Sequence, residues 1–180
     1  PARRIYSKPV YSVEDVEALK ETDKKLEAFL KYFDTVHSDP SARSIIYCTT
    51  EATITYLKKV INAVYANETN FLSVATGMLF KRADVLRKFR TSDVRKYPRV
   101  ILAVDHLGAV GDGLDRITHV FNYELPESPA VLEQRMTRHG TRLENQRVFI
   151  YFADENGIFD SKMLQKCLIS RISTGLLRDI

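Results

Sequence analysis

Gln134, Arg135, Arg138 and Arg142 crowd into one short stretch, LEQRMTRHGTR, and a glycine-bearing loop, GDGLDR, lies upstream of them. Arginine is the side chain for holding phosphate, because its planar, permanently charged fork meets two oxygens at once. Arg135 and Arg138 are three apart on a predicted helix, so they can share a face. Two like charges side by side call for solvent or for an anion. Gly111 and Gly113 let backbone come close to a ligand. Loop, short apolar run and clustered guanidinium groups together suit phosphate handling. The plainer readings are a tight strand-to-helix connection and solvated arginines.

Two common phosphate motifs are excluded. A dinucleotide fingerprint counted from Gly111 meets Arg116 where its last glycine should stand, and no G-x-x-x-x-G-K-[ST] occurs anywhere. His37, His106, His119 and His139 have neither the i+4 nor the paired-cysteine spacing of a metal site. His119 begins a predicted strand and reads as structural.

The elements that must position these residues alternate in type. Ser12 with Asp15 makes a capping-box-like helix start. Leu26, Phe29, Leu30 and Phe33 then form one apolar helix stripe, stopped at His37–Ser41 with Pro40. Strands are expected at Ser44–Cys48, Phe71–Ala75, Arg99–Val104, 119–125 and 147–152. Helices are expected after Thr50 as N-cap, at Phe80–Arg90, at 129–138 and at Phe159–Leu177. Such alternation predicts an α/β domain of βαβ units with right-handed crossovers and a mainly parallel sheet. Ligands of such sheets sit beyond the carboxyl ends of the strands. Thr49, Thr50, Thr76, Gly77 and His106 occupy those positions and are candidates for contacting a nucleic-acid backbone through hydroxyls and amides. Thr50 serves equally as a plain helix cap. Lys81, Arg82, Arg87 and Arg95 form a basic face whose simpler reading is a solvated helix surface.

Composition narrows the class. The chain has 180 residues, 44% hydrophobic and 28% charged, which suits one domain with a real core. Residues 1–22 read as a linker and leading helix, and 23–180 as the domain. The net charge of +4 mildly favours a polyanionic partner. No apolar run approaches the ~20 residues of a membrane span, and the start has no signal-peptide core. With two cysteines, Cys48 and Cys167, a disulfide framework is not expected, and a cytoplasmic or nucleoid-associated location is the expectation.

Over roughly residues 23–152 the chain resembles the C-terminal RecA-like domain of superfamily two helicases and translocases, most of all the Swi/Snf-related branch with the bacterial RNA-polymerase-recycling translocases. DKKLEAFLKYF resembles that domain's opening helix, RSIIYCTT its motif IV, and KRADVLRKFR the charged helix before motif V. GDGLDRITHVFNYELPESP is similar to motif V, with Gly113, Leu114 and Asp115 at its signature positions. LEQRMTRHGTR is similar to motif VI, although Thr137 and Thr141 stand where Gly and the last Arg are usual, and Arg142 comes one place late.

The resemblance implies a RecA-like three-layer fold, with helices on both faces of the sheet. It implies an ATP-hydrolysing motor in which ATP and Mg are held mainly by an N-terminal RecA-like domain carrying the P-loop. Arg138 is then the first choice, and Arg135 and Arg142 the second, for stabilising charge on the transferred phosphoryl group. Gln134 would hydrogen-bond nucleotide, with Gly111 alongside it at the nucleotide. Gly113 and Asp115 would couple nucleotide state to the nucleic-acid track. Expected partners are nucleic acid, DNA ahead of RNA, the N-terminal domain, and RNA polymerase or another protein. Residues 1–180, lacking a P-loop, are expected not to hydrolyse ATP alone. Thr137 and Thr141 keep open a non-catalytic, helicase-like scaffold that binds a protein, and an unrelated nucleotide-binding α/β domain is a further alternative.

Overall fold

Ser44–Cys48 (β1) is buried at every residue, and after Ser44 it is an apolar run, Ile45 to Cys48. Such a run suits a central strand of a parallel sheet, covered on both faces. The computed structural model describes residues 5–66, 72–75, 85, 98–104, 117–126, 128–137, 148–152, 162 and 165. In it β1 is flanked by Val100–Val104 (β3) and His119–Asn122 (β4), with Leu72–Ala75 (β2) outside β3 and Val148–Tyr151 (β5) outside β4. All neighbouring pairs are parallel, in the order β2-β3-β1-β4-β5. The register places Tyr47 beside Ala103 on one side and Asn122 on the other.

The helices form for reasons visible in their sequences. Val13–Thr22 (α1) starts at a capping box in which Asp15 N–H donates to Ser12 Oγ at 3.2 Å and Ser12 N–H to Asp15 Oδ2 at 3.0 Å. Asp23 ends α1 and caps Lys24–His37 (α2), accepting from Leu26 N–H at 2.9 Å. The expected boundary at 22/23 thus falls on a residue that serves both helices. Leu26, Phe29, Leu30 and Phe33 of α2 are buried, as are Val16 and Leu19 of α1. Glu51–Val64 (α3) buries Ile54, Leu57, Val60 and Ile61 behind its Thr50 N-cap. These three helices cover the face of the sheet that carries Ile46, Cys48, Leu102 and Phe121. Phe29 is the hub of that layer, with ring centroids 5.8 Å from Phe121, 5.2 Å from Tyr123 and 5.6 Å from Phe152, all in edge-on geometry. The opposite face carries Ile45, Tyr47, Ile101, Ala103 and Val120, against which Val85 packs. Pro129–Thr137 (α4) lies on that side, with the Arg135 guanidinium 5.0 Å above the Tyr47 ring.

Some expected bounds shift. The strand expected at 119–125 ends at Asn122, because Tyr123 and Glu124 N–H both turn onto the Tyr47 carbonyl, at 3.1 and 3.4 Å. Of the helices expected at Phe80–Arg90 and Phe159–Leu177, the described residues hold only Val85, Lys162 and Gln165, all helical. Among the described residues no helix is long and apolar enough to cross a membrane.

At the amino-terminal end of the sheet, His37 is clasped between Ser44 Oγ, 3.0 Å from Nε2, and Arg99 Nη2, 3.3 Å from Nδ1. Arg99 has only protons to give, so Nδ1 accepts, and the ring proton sits on Nε2 and points at Ser44. Burial, then the Arg99 cation, pushes the His37 pKa down to about 3. The folded protein therefore keeps this ring neutral where the unfolded chain, with its ordinary value of 6.5, binds a proton. Nothing is lost above that value. Stability falls as pH drops below 6.5, with a slope approaching about 1.4 kcal/mol per pH unit. Urea titrations of wild type and His37→Gln between pH 7 and pH 5 should show the steeper loss in wild type. His119, also held below its ordinary value by burial, supplies the part that survives in the variant. Equal slopes would mean that His37 is not held neutral.

Candidate functional site

β1 and β4 are neighbours, yet the helices that follow them cover opposite faces of the sheet: α3 the Ile46 face, α4 the Tyr47 face. The chain therefore parts at the carboxyl ends of β1 and β4. That is where parallel sheets of this kind open a crevice for ligands. The residues at this opening are Thr49, Thr50 and Thr53 from the β1 side, and Asn122, Glu124 and Arg135 from the β4 side.

Glu124 spans the opening. Its Oε2 accepts from Thr49 N–H at 2.7 Å and from the Thr49 hydroxyl at 2.8 Å, and its Oε1 accepts from the Thr53 hydroxyl at 2.7 Å. A threonine hydroxyl has one proton. With the Thr53 proton given to Glu124, the 2.9 Å contact between Thr50 Oγ1 and Thr53 Oγ1 must be a donation from Thr50. Thr50 Oγ1 also accepts from Thr53 N–H at 3.1 Å, which is its capping bond. The hydroxyl protons of Thr49, Thr50 and Thr53 are thus all directed inward, in a relay that ends on the carboxylate. Exposed Thr50 and Glu51 stand at the first turn of α3, whose leading amides are the outward donors. The hydroxyl protons of Thr49 and Thr50, expected to reach a phosphate backbone, are thus directed to partners within the protein.

Arg135 is 0% exposed. It lies over Tyr47, and Nη1 donates to Asn122 Oδ1 at 3.0 Å and to the Glu124 carbonyl at 2.7 Å. The sequence reading expected it near a phosphate. The structure places it in the interior, where it fastens α4 to the end of β4. Gln134, one residue earlier, is exposed. Leu132 completes the anchorage by packing with Leu125 and Tyr151. Gly111, Gly113, Asp115, Thr76, Gly77, His106, Arg138 and Arg142 lie outside the described residues. Glu124, Asn122 and Thr53 were missed by the sequence reading. The available signal for Glu124 was a carboxylate near the carboxyl end of an expected strand, at the ligand-binding edge.

The family defined as the helicase conserved C-terminal domain matches residues 24–142. The chain belongs to this helicase C-terminal domain family. The match begins at the first residue of α2, takes in β1 to α4, and ends at Arg142. The fold of this helicase domain is similar to that of the C-terminal part of the Fun30 ATPase domain, with a TM-score of 0.66 at 16% identity over 78% of this chain. It is also similar to the C-terminal domain of the DEAD-box protein Dbp5, with a TM-score of 0.54 at 22% identity, covering 76% of this chain and 72% of that one. At such identities the likeness is one of fold: a RecA-like α/β domain with a parallel sheet. The chain spans 44% of the Fun30 chain it matches. No curated protein gives a significant match.

Proposed function

We propose that this helicase C-terminal domain is the second motor domain of an ATP-dependent nucleic-acid translocase of the Swi/Snf-related kind. The observation that carries the reading is the docking of α4. Arg135 locks this helix inward while Gln134 faces out, and Arg138 directly follows its last residue. A helix fixed in this way anchors the start of the segment that carries Arg138 and then Arg142, which would reach a nucleotide bound on a facing domain. ATP and Mg would be held there by the P-loop domain. The guanidinium groups this chain would offer to ATP fit phosphate oxygens. Arg138, seconded by Arg142, would meet the charge spreading over the transferred phosphoryl group. Gln134, Gly111, Gly113 and Asp115 would line the nucleotide side.

Nucleic acid, DNA ahead of RNA, would run across the carboxyl edge of the sheet, where the loops after β1, β2 and β3 carry Thr49, Thr50, Thr76, Gly77 and His106. Backbone contacts of that kind position a strand without reading its sequence. Residues 1–180 by themselves should turn over no ATP, while the full protein that joins them to a P-loop domain should. Steady-state ATPase assays of both, with Arg138→Ala versions of each, check this. Arg138-dependent turnover by residues 1–180 alone would refute the two-domain reading.

A further inference from the structure

We infer that Glu124 is a positioning residue that ties the nucleic-acid loop after β1 to the nucleotide-side helix α4. The inference rests on the translocase reading above and goes further, to the part that joins the two ligands. Glu124 is bound from both sides at once. Its carboxylate holds Thr49 N–H, the Thr49 hydroxyl and the Thr53 hydroxyl, while its main-chain carbonyl holds Arg135 Nη1 of α4 at 2.7 Å. Thr49 and Glu124 are 75 positions apart, so no local turn makes this contact for its own sake. The same residue sits on the β4 side of the crevice, where β1 and β4 send their helices to opposite faces.

The physical consequence follows from the type of bond. Hydrogen bonds to a carboxylate are short and strong, and three of them fix the β1–α3 turn against the end of β4. The first-turn amides of α3 are then held ready in place for phosphate oxygens, so strand binding spends less on ordering the loop. A shift of α4 when nucleotide is bound or lost pulls on the Glu124 backbone through Arg135, and the carboxylate carries that pull to Thr49 and Thr53. Cutting the side chain cuts the loop end of this link only, because the carbonyl that holds Arg135 belongs to the main chain.

The test uses the full protein, a fluorescein-labelled DNA duplex, and the single-stranded DNA and RNA of the same sequence. Glu124→Ala should weaken binding of the preferred nucleic acid on the order of tenfold, equivalent to about 1.4 kcal/mol. The concentration giving half-maximal ATPase stimulation should rise by the same factor. The KM for ATP should move by less than about twofold. Glu124→Gln, which keeps one carbonyl acceptor for the loop, should recover part of the loss. Thr53→Val removes a single hydroxyl and keeps the side-chain shape. It should weaken binding by roughly threefold in the wild-type background and not at all on top of Glu124→Ala, as coupled groups require. If Glu124→Ala does not fold, the Thr53→Val result decides. Unchanged nucleic-acid affinity in these variants would overturn the inference, and so would equal losses in ATP and nucleic-acid affinity. Failure of wild type to bind any of the probes would overturn the translocase reading with it, whereas a binding wild type with insensitive variants overturns this inference alone.

Discussion

Replacing Arg138 by alanine in the full protein should lower the nucleic-acid-stimulated ATPase rate by about 10³-fold, the lower end of what arginine fingers contribute. The loss should fall on kcat and leave the KM for ATP within a few fold, because the guanidinium would act on charge that develops in the transition state and is weaker in the ground state. Arg142→Ala should follow the same pattern with a smaller loss. Thermal stability should hold in both variants, since on this reading their guanidinium groups serve the nucleotide and not the packing of the domain. ATPase kinetics with paired melting curves check this. A variant that hydrolyses ATP normally would move the protein toward the scaffold reading that Thr137 and Thr141 keep open.

Arg135→Ala should behave in the opposite way. Its guanidinium is fully buried, meets Asn122 Oδ1 and the Glu124 carbonyl, and covers the Tyr47 ring. Truncation leaves a buried and a part-buried acceptor without their donor, opens a void over Tyr47 and loosens α4. Leaving these acceptors unpaired costs about 1–3 kcal/mol each, and the void over Tyr47 adds to that. For a chain of this size that corresponds to a fall in melting temperature of roughly 10 °C. Arg135→Lys should recover only part of the loss: both oxygens are met by the one nitrogen Nη1, which an ammonium can imitate, but an ammonium cannot lie flat on an aromatic ring. Differential scanning calorimetry gives the answer. A phosphate-binding Arg135 would instead leave the melting temperature unchanged and lose ATPase activity. Three positions in the sequence separate Arg135 from Arg138, and stability against turnover is the measurement that tells their expected duties apart.

These two residues also show what the sequence made legible. The apolar run SIIYC announced β1 as a strand buried on both faces, and the spacing of Leu26, Phe29, Leu30 and Phe33 announced the buried stripe of α2. Both signals are local, a period or a run within one element. Thr50 and the Ser12–Asp15 pair were legible as caps for the same reason. The inward turn of Arg135 was not. It depends on Asn122 and Tyr47 lying side by side, a matter of register between strands that no single stretch encodes. Glu124 was overlooked on similar grounds, for its partners lie 75 and 71 positions away. Charge and spacing pointed to an arginine cluster, and only packing separates the arginine that holds the helix from those that follow it.

The proposed role of this helicase C-terminal domain is half of an ATP-driven motor that nucleic acid stimulates. The most direct test is the steady-state ATPase rate of the full protein, measured alone and with saturating duplex DNA, single-stranded DNA and RNA. The account predicts a low rate alone and at least a severalfold rise with one of the three, DNA ahead of RNA. A rate that none of the three changes would contradict it.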